Sequence, residues 1–218
     1  MRLLQIDDAT RGDHRYLVAD DYCLYQGEYT ARGGFGCSPM NDMILNIKKS
    51  VTRRGRPEYQ YKERDIRRAG EAFRAALSGE AMATVTFVPV PPSKAINHPE
   101  YDNRIELVLS HMAAGLVADV RQLVIQNGSY EPSSQAASRG GERMHADDLI
   151  KLYAINEAIS TPDPRRILIV DDVLTTGSHF VAMKTVLRHR YPDVWIGGLF
   201  IARRRLVDDE VQTPTDDN

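Results

Sequence analysis

The stretch Ile167-Leu-Ile-Val-Asp171-Asp172-Val-Leu-Thr175-Thr-Gly177-Ser-His179 decides the fold class. Residues 167–170 form a short, wholly apolar run rich in β-branched side chains and preceded by the break Pro162-Asp-Pro164, which predicts a buried strand. Two carboxylates follow, then a small hydroxyl/glycine turn, then residues 180–190 with a helical pattern. Adjacent carboxylates at a strand end can accept hydrogen bonds from vicinal hydroxyls, such as a ribose 2′,3′-diol, and they also suit a hard cation. Thr175, Thr176, Gly177 and Ser178 offer hydroxyl and backbone N–H donors at the positive end of the following helix, where a phosphate is favoured. One segment can therefore hold both ends of a ribose 5-phosphate.

Outward from this segment the strand–helix alternation recurs. Residues 84–90 read as a strand, and Ile105, Val108, Leu109, Met112 and Leu116 mark one face of a helix. Residues 123–125 read as a short strand, 126–141 as a Gly/Ser-rich loop, 143–159 as a helix, and 194–202 as a last strand. This succession predicts an α/β fold, a mostly parallel twisted sheet with helices on both faces. Ligands in such sheets bind beyond the carboxyl ends of the strands, which directs attention to residues 89–94, 126–141 and 171–179.

Closer to the N-terminus, residues 16–49 mix aromatic, β-branched and glycine residues, which predicts a small hairpin-like element of short strands. Met43, Ile44 and Ile47 suggest a short helix, residues 48–68 are basic and polar, and Ile66, Ala69, Phe73, Ala76 and Leu77 trace a helix stopped at Ser78-Gly79. The organisation expected is an N-terminal elaboration and hood candidate over residues 1–65, a core over 66–205, and an acidic, unstructured tail over 206–218.

With 218 residues, 42% hydrophobic and 27% charged, the composition is that of a soluble globular protein with a packed core. A formal net charge of −2 gives no support to an extended nucleic-acid footprint, so nucleic acid is not expected as a direct ligand. Cys23 and Cys37 have no metal-type spacing, and neither a disulfide framework nor a zinc site is indicated. The absence of a signal-like or membrane-length apolar run leads to an expected cytoplasmic location without membrane association.

The segment 167–179 resembles the phosphoribosyl pyrophosphate (PRPP) motif of type I phosphoribosyltransferases over its whole length, and looks most like the ComF-type branch without its zinc ribbon. By that resemblance Asp171 and Asp172 would bind the ribose hydroxyls and, directly or indirectly, Mg²⁺. Val173, Leu174, Thr175, Thr176, Gly177, Ser178 and His179 would form the PRPP- and phosphate-binding run. The family usually has a small hydroxyl residue where His179 stands, and its purine-salvage members carry an acidic residue at the position of Thr175. Pro91, Pro92, Ser93 and Lys94 fall where these enzymes keep a pyrophosphate loop. Arg104, in Tyr101-Asp-Asn-Arg104, resembles the Arg box opening the next helix, and a guanidinium there can pair bidentately with phosphate. Gln135, Arg139 and Arg143 match a flexible loop that would close over PRPP. Leu24-Tyr-Gln-Gly with Leu45-Asn-Ile-Lys48-Lys49 echoes the segment preceding the sheet. A homodimer is the family's usual arrangement.

The resemblance implies Mg²⁺-dependent transfer of a 5-phosphoribosyl group from PRPP to a nitrogen nucleophile, an unidentified base or nucleotide, with pyrophosphate leaving. The alternative is a PRPP- or nucleotide-binding regulator or sensor, in DNA uptake, defence or regulation, that has lost turnover. Bland readings stand beside these: a solvated strand end for the Asp pair, a rigid loop for Pro-Val-Pro-Pro, surface ion pairs for Lys94 and Arg104, and a solvated strand end for residues 203–205. A receiver domain also has an acidic pair after a hydrophobic strand, but that pair would lie near its N-terminus.

Overall fold

A computed structural model describes residues 2–127 and 145–206. Six strands form one sheet in the order β1-β2-β8-β7-β3-β4, with β1 at Leu4–Gln5, β2 at Cys23–Thr30, β3 at Thr86–Pro89, β4 at Asp119–Val120, β7 at Arg166–Leu174 and β8 at Trp195–Arg205. Neighbours run parallel except β1 against β2. Val124–Gln126 (β5) and Tyr153–Ile155 (β6) form a separate antiparallel pair. Among the described residues the α-helices are α1 (Asp8–Arg11), α2 (Pro39–Ile47), α3 (Gln60–Ala76), α4 (Gly79–Thr84), α5 (Arg104–Ala113), α6 (Ala146–Leu152) and α7 (Ser178–Arg190).

Strand alternation sorts the apolar side chains into two cores. Ile167 and Ile169 of β7 pack with Leu149 of α6 and with Phe180, Met183 and Leu187 of α7. Leu168 and Val170 point the other way, into Ile44 and Ile47 of α2, Phe73 of α3, and Val108, Leu109 and Met112 of α5. Helices thus cover both faces, as the apolar run at 167–170 requires. Among the described residues no helix is long and apolar enough to cross a membrane.

Local chemistry explains the helix boundaries. Ser38 caps α2 by accepting from the Asn41 N–H at 3.0 Å, and Pro39 opens it. Ile66, Ala69, Gly70 and Phe73 line the buried stripe of α3 at helical spacing. Gly70 marks its closest approach to α5, since a Cβ there would lie 2.5 Å from the Val108 carbonyl oxygen and 2.7 Å from the His111 Cβ.

Several expectations need correction. Residues 16–49 contribute not a hairpin of short strands but the eight-residue β2, which joins the main sheet beside β8 and pairs only with the two-residue β1 in antiparallel fashion. Residues 123–125 lie outside the main sheet, whose β4 is the pair Asp119–Val120. The helix expected over 143–159 is confined to α6, because the chain turns extended at Tyr153 to pair with β5. Strand β7 does not stop at Val170: pairing continues with Asp171 opposite Phe200 and Leu174 opposite Arg203, so the Asp pair sits within the strand. Arg203 is no solvated end, being 6% exposed and ion-paired with Asp13 at 2.7 Å and with Glu28. The tail residues 207–218 lie outside the described residues.

Gly70→Ala forces the α3–α5 backbones apart and is expected to destabilise the protein by about 1–3 kcal/mol, the range for overpacking. Thermal or urea unfolding measures this, and an unchanged stability would show that the two helices yield at no cost.

Candidate functional site

The site forms where the carboxyl end of β7 meets the turn into α7. Gly177 adopts φ 86°, a left-handed conformation that costs glycine little, and it serves as the N-cap of α7. The turn is held from behind by residues 14–17: the Tyr16 N–H donates to the Thr176 carbonyl at 3.0 Å, His14 Nδ1 lies 2.5 Å from the Thr175 carbonyl oxygen, and Leu17 packs where a Gly177 side chain would stand. In a trans peptide the C=O and N–H point oppositely, so anchoring these two carbonyls on the N-terminal strap turns the next N–H groups away from it. Together with the first-turn N–H groups of α7 they gather backbone donors at the turn, and the buried Thr176 and Ser178 hydroxyls lie 3.3 Å apart beside them.

The carboxylate pair is electrostatically asymmetric. Asp172 is 3% exposed and both of its oxygens are engaged. The Lys48 ammonium lies 3.0 Å from Oδ1, and Arg104 places both Nε and Nη2 at 2.7 Å from Oδ2. Burial opposes ionisation of Asp172, but these two cations outweigh it and hold its carboxyl well below the ordinary carboxylate range. Asp171 is half-buried, and its Oδ1 accepts the Asp172 N–H at 2.8 Å. Burial first, then the negative charge of Asp172, push its carboxyl up to about 7.

The ion pairs continue into the fold. Arg104 Nη1 donates to Asp102 at 3.1 Å, and Asp102 accepts from the Lys62 ammonium at 2.7 Å. Lys62 is itself buried and also donates to the carbonyls of Ile47 and Lys49 at 2.6 and 2.8 Å. Charges therefore alternate from Lys48 through Asp172, Arg104 and Asp102 to Lys62, joining α2, α3, the start of α5 and β7. Burial disfavours the charge of Arg104, yet Asp172, Asp102 and Asp171 hold its guanidinium protonated even more firmly than usual.

The sequence-derived candidates divide by position. Asp171, Asp172, Arg104 and the turn 175–178 converge. Val173 and Leu174, expected in the PRPP-binding run, are strand residues whose buried side chains pack into the two opposite cores. His179 turns its ring to the Tyr153 hydroxyl, 2.8 Å from Nδ1, and burial pushes its pKa down to about 4, so it is neutral at pH 7 and adds no positive charge to an anion site. Pro91, Pro92 and Lys94 line a cavity of about 190 Å³ together with Tyr101, Glu106, Gln122 and Gln126, and no residue of 171–179 lines it. Ser93 accepts from Gln126 Nε2 through its carbonyl at 3.1 Å. The Glu106 carboxyl in this cavity, bonded by the Tyr101 hydroxyl at 2.6 Å, is poorly suited to a pyrophosphate neighbour. Gln135, Arg139 and Arg143 lie outside the described residues.

Lys48, Asp102, Lys62 and the strap residues His14 and Tyr16 were not singled out from sequence as site residues. Asp102 lies two places before Arg104, and Lys48 in the echoed Leu-Asn-Ile-Lys segment; the strap residues carry no such signal.

The basic stretch 48–68 spends much of its charge internally, on Asp172, Asp102 and Asp65. Among the described residues no cluster of three or more His, Cys, Asp or Glu side chains could cage a metal. With both Asp172 oxygens on cations, Asp171 is the carboxylate of the pair that could take Mg²⁺, which commonly uses one or two carboxylates and completes its shell with water and substrate oxygens. Buried Cys23 has its thiol pKa pushed up by desolvation, which makes it inert, and Cys37 is exposed. No protein-family model and no curated protein matches the chain.

A carboxyl held near 7 against its ordinary 3.8 keeps a proton in the folded chain that the unfolded chain has lost, so its contribution to stability falls as pH rises across that interval. Asp171→Asn removes the effect. The melting temperature of the variant relative to the unsubstituted protein is expected to rise between about pH 4 and pH 7. Taking the difference also removes the opposite contribution of buried His179. A difference independent of pH would contradict the electrostatics of the pair.

Proposed function

We propose that the chain is a PRPP-binding protein with the type I phosphoribosyltransferase fold, and that it transfers the 5-phosphoribosyl group to a nitrogen nucleophile with pyrophosphate leaving. The observation that carries this reading is the succession of a carboxylate pair in the carboxyl-terminal part of a central parallel strand and a donor-rich turn at the start of α7, with Arg104 delivered to the pair from α5. The spacing along one segment suits a sugar whose diol and 5-phosphate must be gripped together.

In this reading the turn 175–178 receives the 5-phosphate through backbone N–H groups and hydroxyls. Asp171 and Asp172 take the ribose hydroxyls and stabilise the positive charge that grows at the anomeric carbon as its bond to the pyrophosphate oxygen breaks. The bond to the acceptor nitrogen forms on the opposite side, and the proton of that nitrogen leaves to solvent. Arg104 acts chiefly by keeping Asp172 ionised, since its guanidinium is already committed to two carboxylates. Mg²⁺, when bound, neutralises the departing pyrophosphate. No side chain forms a covalent bond.

A second reading, a sensor that binds PRPP without turnover, draws on the same geometry: an Asp172 saturated by two cations is a poor ligand until one of them leaves.

Calorimetry with PRPP and Mg²⁺ is expected to give saturable binding that weakens at least about tenfold in both Asp171→Asn and Asp172→Asn, the loss of one charge-assisted contact. Unchanged binding in the variants would remove the site assignment. Pyrophosphate release measured with PRPP and a panel of bases separates the two readings, with acceleration by one base expected for the transferase and none for the sensor.

A further inference from the structure

We propose that Lys48 is a substrate-anion residue held in reserve: it neutralises Asp172 in the unliganded protein and transfers its ammonium to the pyrophosphate of PRPP when a ribose hydroxyl takes Asp172. The inference rests on the PRPP reading of the site and adds a residue from outside the strand-turn segment.

The geometry identifies which counter-ion yields. Asp172 is almost fully buried with both oxygens occupied, so a ligand hydroxyl gains access only if one cation withdraws. Arg104 is held by three nitrogens on two carboxylates, Nε and Nη2 on Asp172 and Nη1 on Asp102. Moving it would leave Asp102 and Lys62 with a broken charge chain, and unpairing a buried ion is expensive. Among the described residues Lys48 makes a single ion pair, at 3.0 Å, and its side chain is 31% exposed. A compact ammonium on a four-carbon stem can exchange one anion for another nearby at little cost, whereas a fork-bound guanidinium cannot.

Its backbone is fixed while its side chain is free to swing. The Lys48 N–H donates to the Ile44 carbonyl at 3.0 Å as the C-cap of α2. Lys62 clamps the carbonyls of Ile47 and Lys49, immediately before and after it. The stem of Lys48 therefore pivots on an anchored Cα at the rim of the carboxylate pair. Withdrawal of Lys48 alone would leave Asp172 paired with Arg104 and open at Oδ1, the oxygen a hydroxyl would use, and would release one positive charge at the moment an anionic substrate arrives. Exchange leaves Asp172 paired with Arg104 in both states and gives the incoming anion one counter-charge.

The test compares two probes, PRPP and ribose 5-phosphate, each titrated calorimetrically with Mg²⁺ into the full chain and into Lys48→Met, Lys48→Arg and Lys49→Met. Ribose 5-phosphate offers the same diol and 5-phosphate but no pyrophosphate. The expected result is that Lys48→Met weakens PRPP at least about tenfold, the loss of one charge-assisted contact, and leaves ribose 5-phosphate equal or tighter, since its hydroxyl no longer has to displace the ammonium. Lys48→Arg is expected to recover most of the PRPP affinity, and Lys49→Met to behave as the unsubstituted chain. Equal weakening of both probes in Lys48→Met would mean that Lys48 only positions Asp172, and would overturn the exchange while leaving the ribose-phosphate site standing. No effect on either probe would overturn it as well. An unsubstituted chain that binds neither probe would overturn the PRPP reading itself. Melting curves of the variants keep these outcomes interpretable, and should Lys48→Met fail to fold, Lys48→Gln takes its place.

Discussion

A carboxylate buried in the carboxyl-terminal part of the central strand, where pairing still continues, is the constraint from which much of the architecture follows. Placing Asp172 at 3% exposure without partners would cost many kcal/mol, and the protein meets this with Lys48 from the end of α2 and Arg104 from the start of α5. Both helices belong to the same face of the sheet, so the two cations also tie that layer to β7. Asp102 and Lys62 extend the compensation one step further, to α3. The close approach of α3 to α5 at Gly70 thus stands behind the position of Arg104. Removing one partner of such a chain typically costs about 3–5 kcal/mol because the remaining charge is stranded.

On the other side of the pair the constraint is backbone rather than charge. Residues 14–17 take up the carbonyls of Thr175 and Thr176, and β2 places the Glu28 carboxylate against Arg203, which also pairs with Asp13 just before the strap. The strap is therefore fastened at both ends, to β8 and to the turn. Tyr16 also bonds His145, at 2.8 Å, at the start of α6. The N-terminal residues serve the site from two directions, Lys48 from the face of the sheet and the strap from behind the turn.

How much of this was legible in the sequence follows from the range of the interactions. The apolar run at 167–170 and the helical periodicities of residues 66–77, 105–116 and 180–190 are local signals, and they indicate the parallel sheet, locate α5 and α7 to within three residues, and find α3 without its first six residues. Local signals also led astray: Tyr153 to Ile155 continues a helical-looking run, yet its pairing with residues 124–126 turns it into a strand. The aromatic and glycine-rich N-terminus suggested short strands because nothing in it reveals that β8 waits to pair with residues 23–30. The resemblance points to Arg104 as a phosphate partner, but its pairing with Asp172, 68 positions away, has no local signal, and neither has the pairing of Lys48. Arg203 likewise carries no local sign of its distant partners Asp13 and Glu28. A buried cation is distinguished from an exposed one by its distant partner, and that partner is invisible at short range.

The central claim is that one ligand spans the Asp pair and the turn before α7. A crystal structure of the chain with ribose 5-phosphate and Mg²⁺ tests it most directly. The account predicts phosphate oxygens within hydrogen-bond distance of the N–H groups and hydroxyls of residues 175–178, and ribose hydroxyls on Asp171 and Asp172. A ligand seated instead in the cavity beside Lys94 and Glu106, or density absent from the turn at saturating ligand, would contradict it.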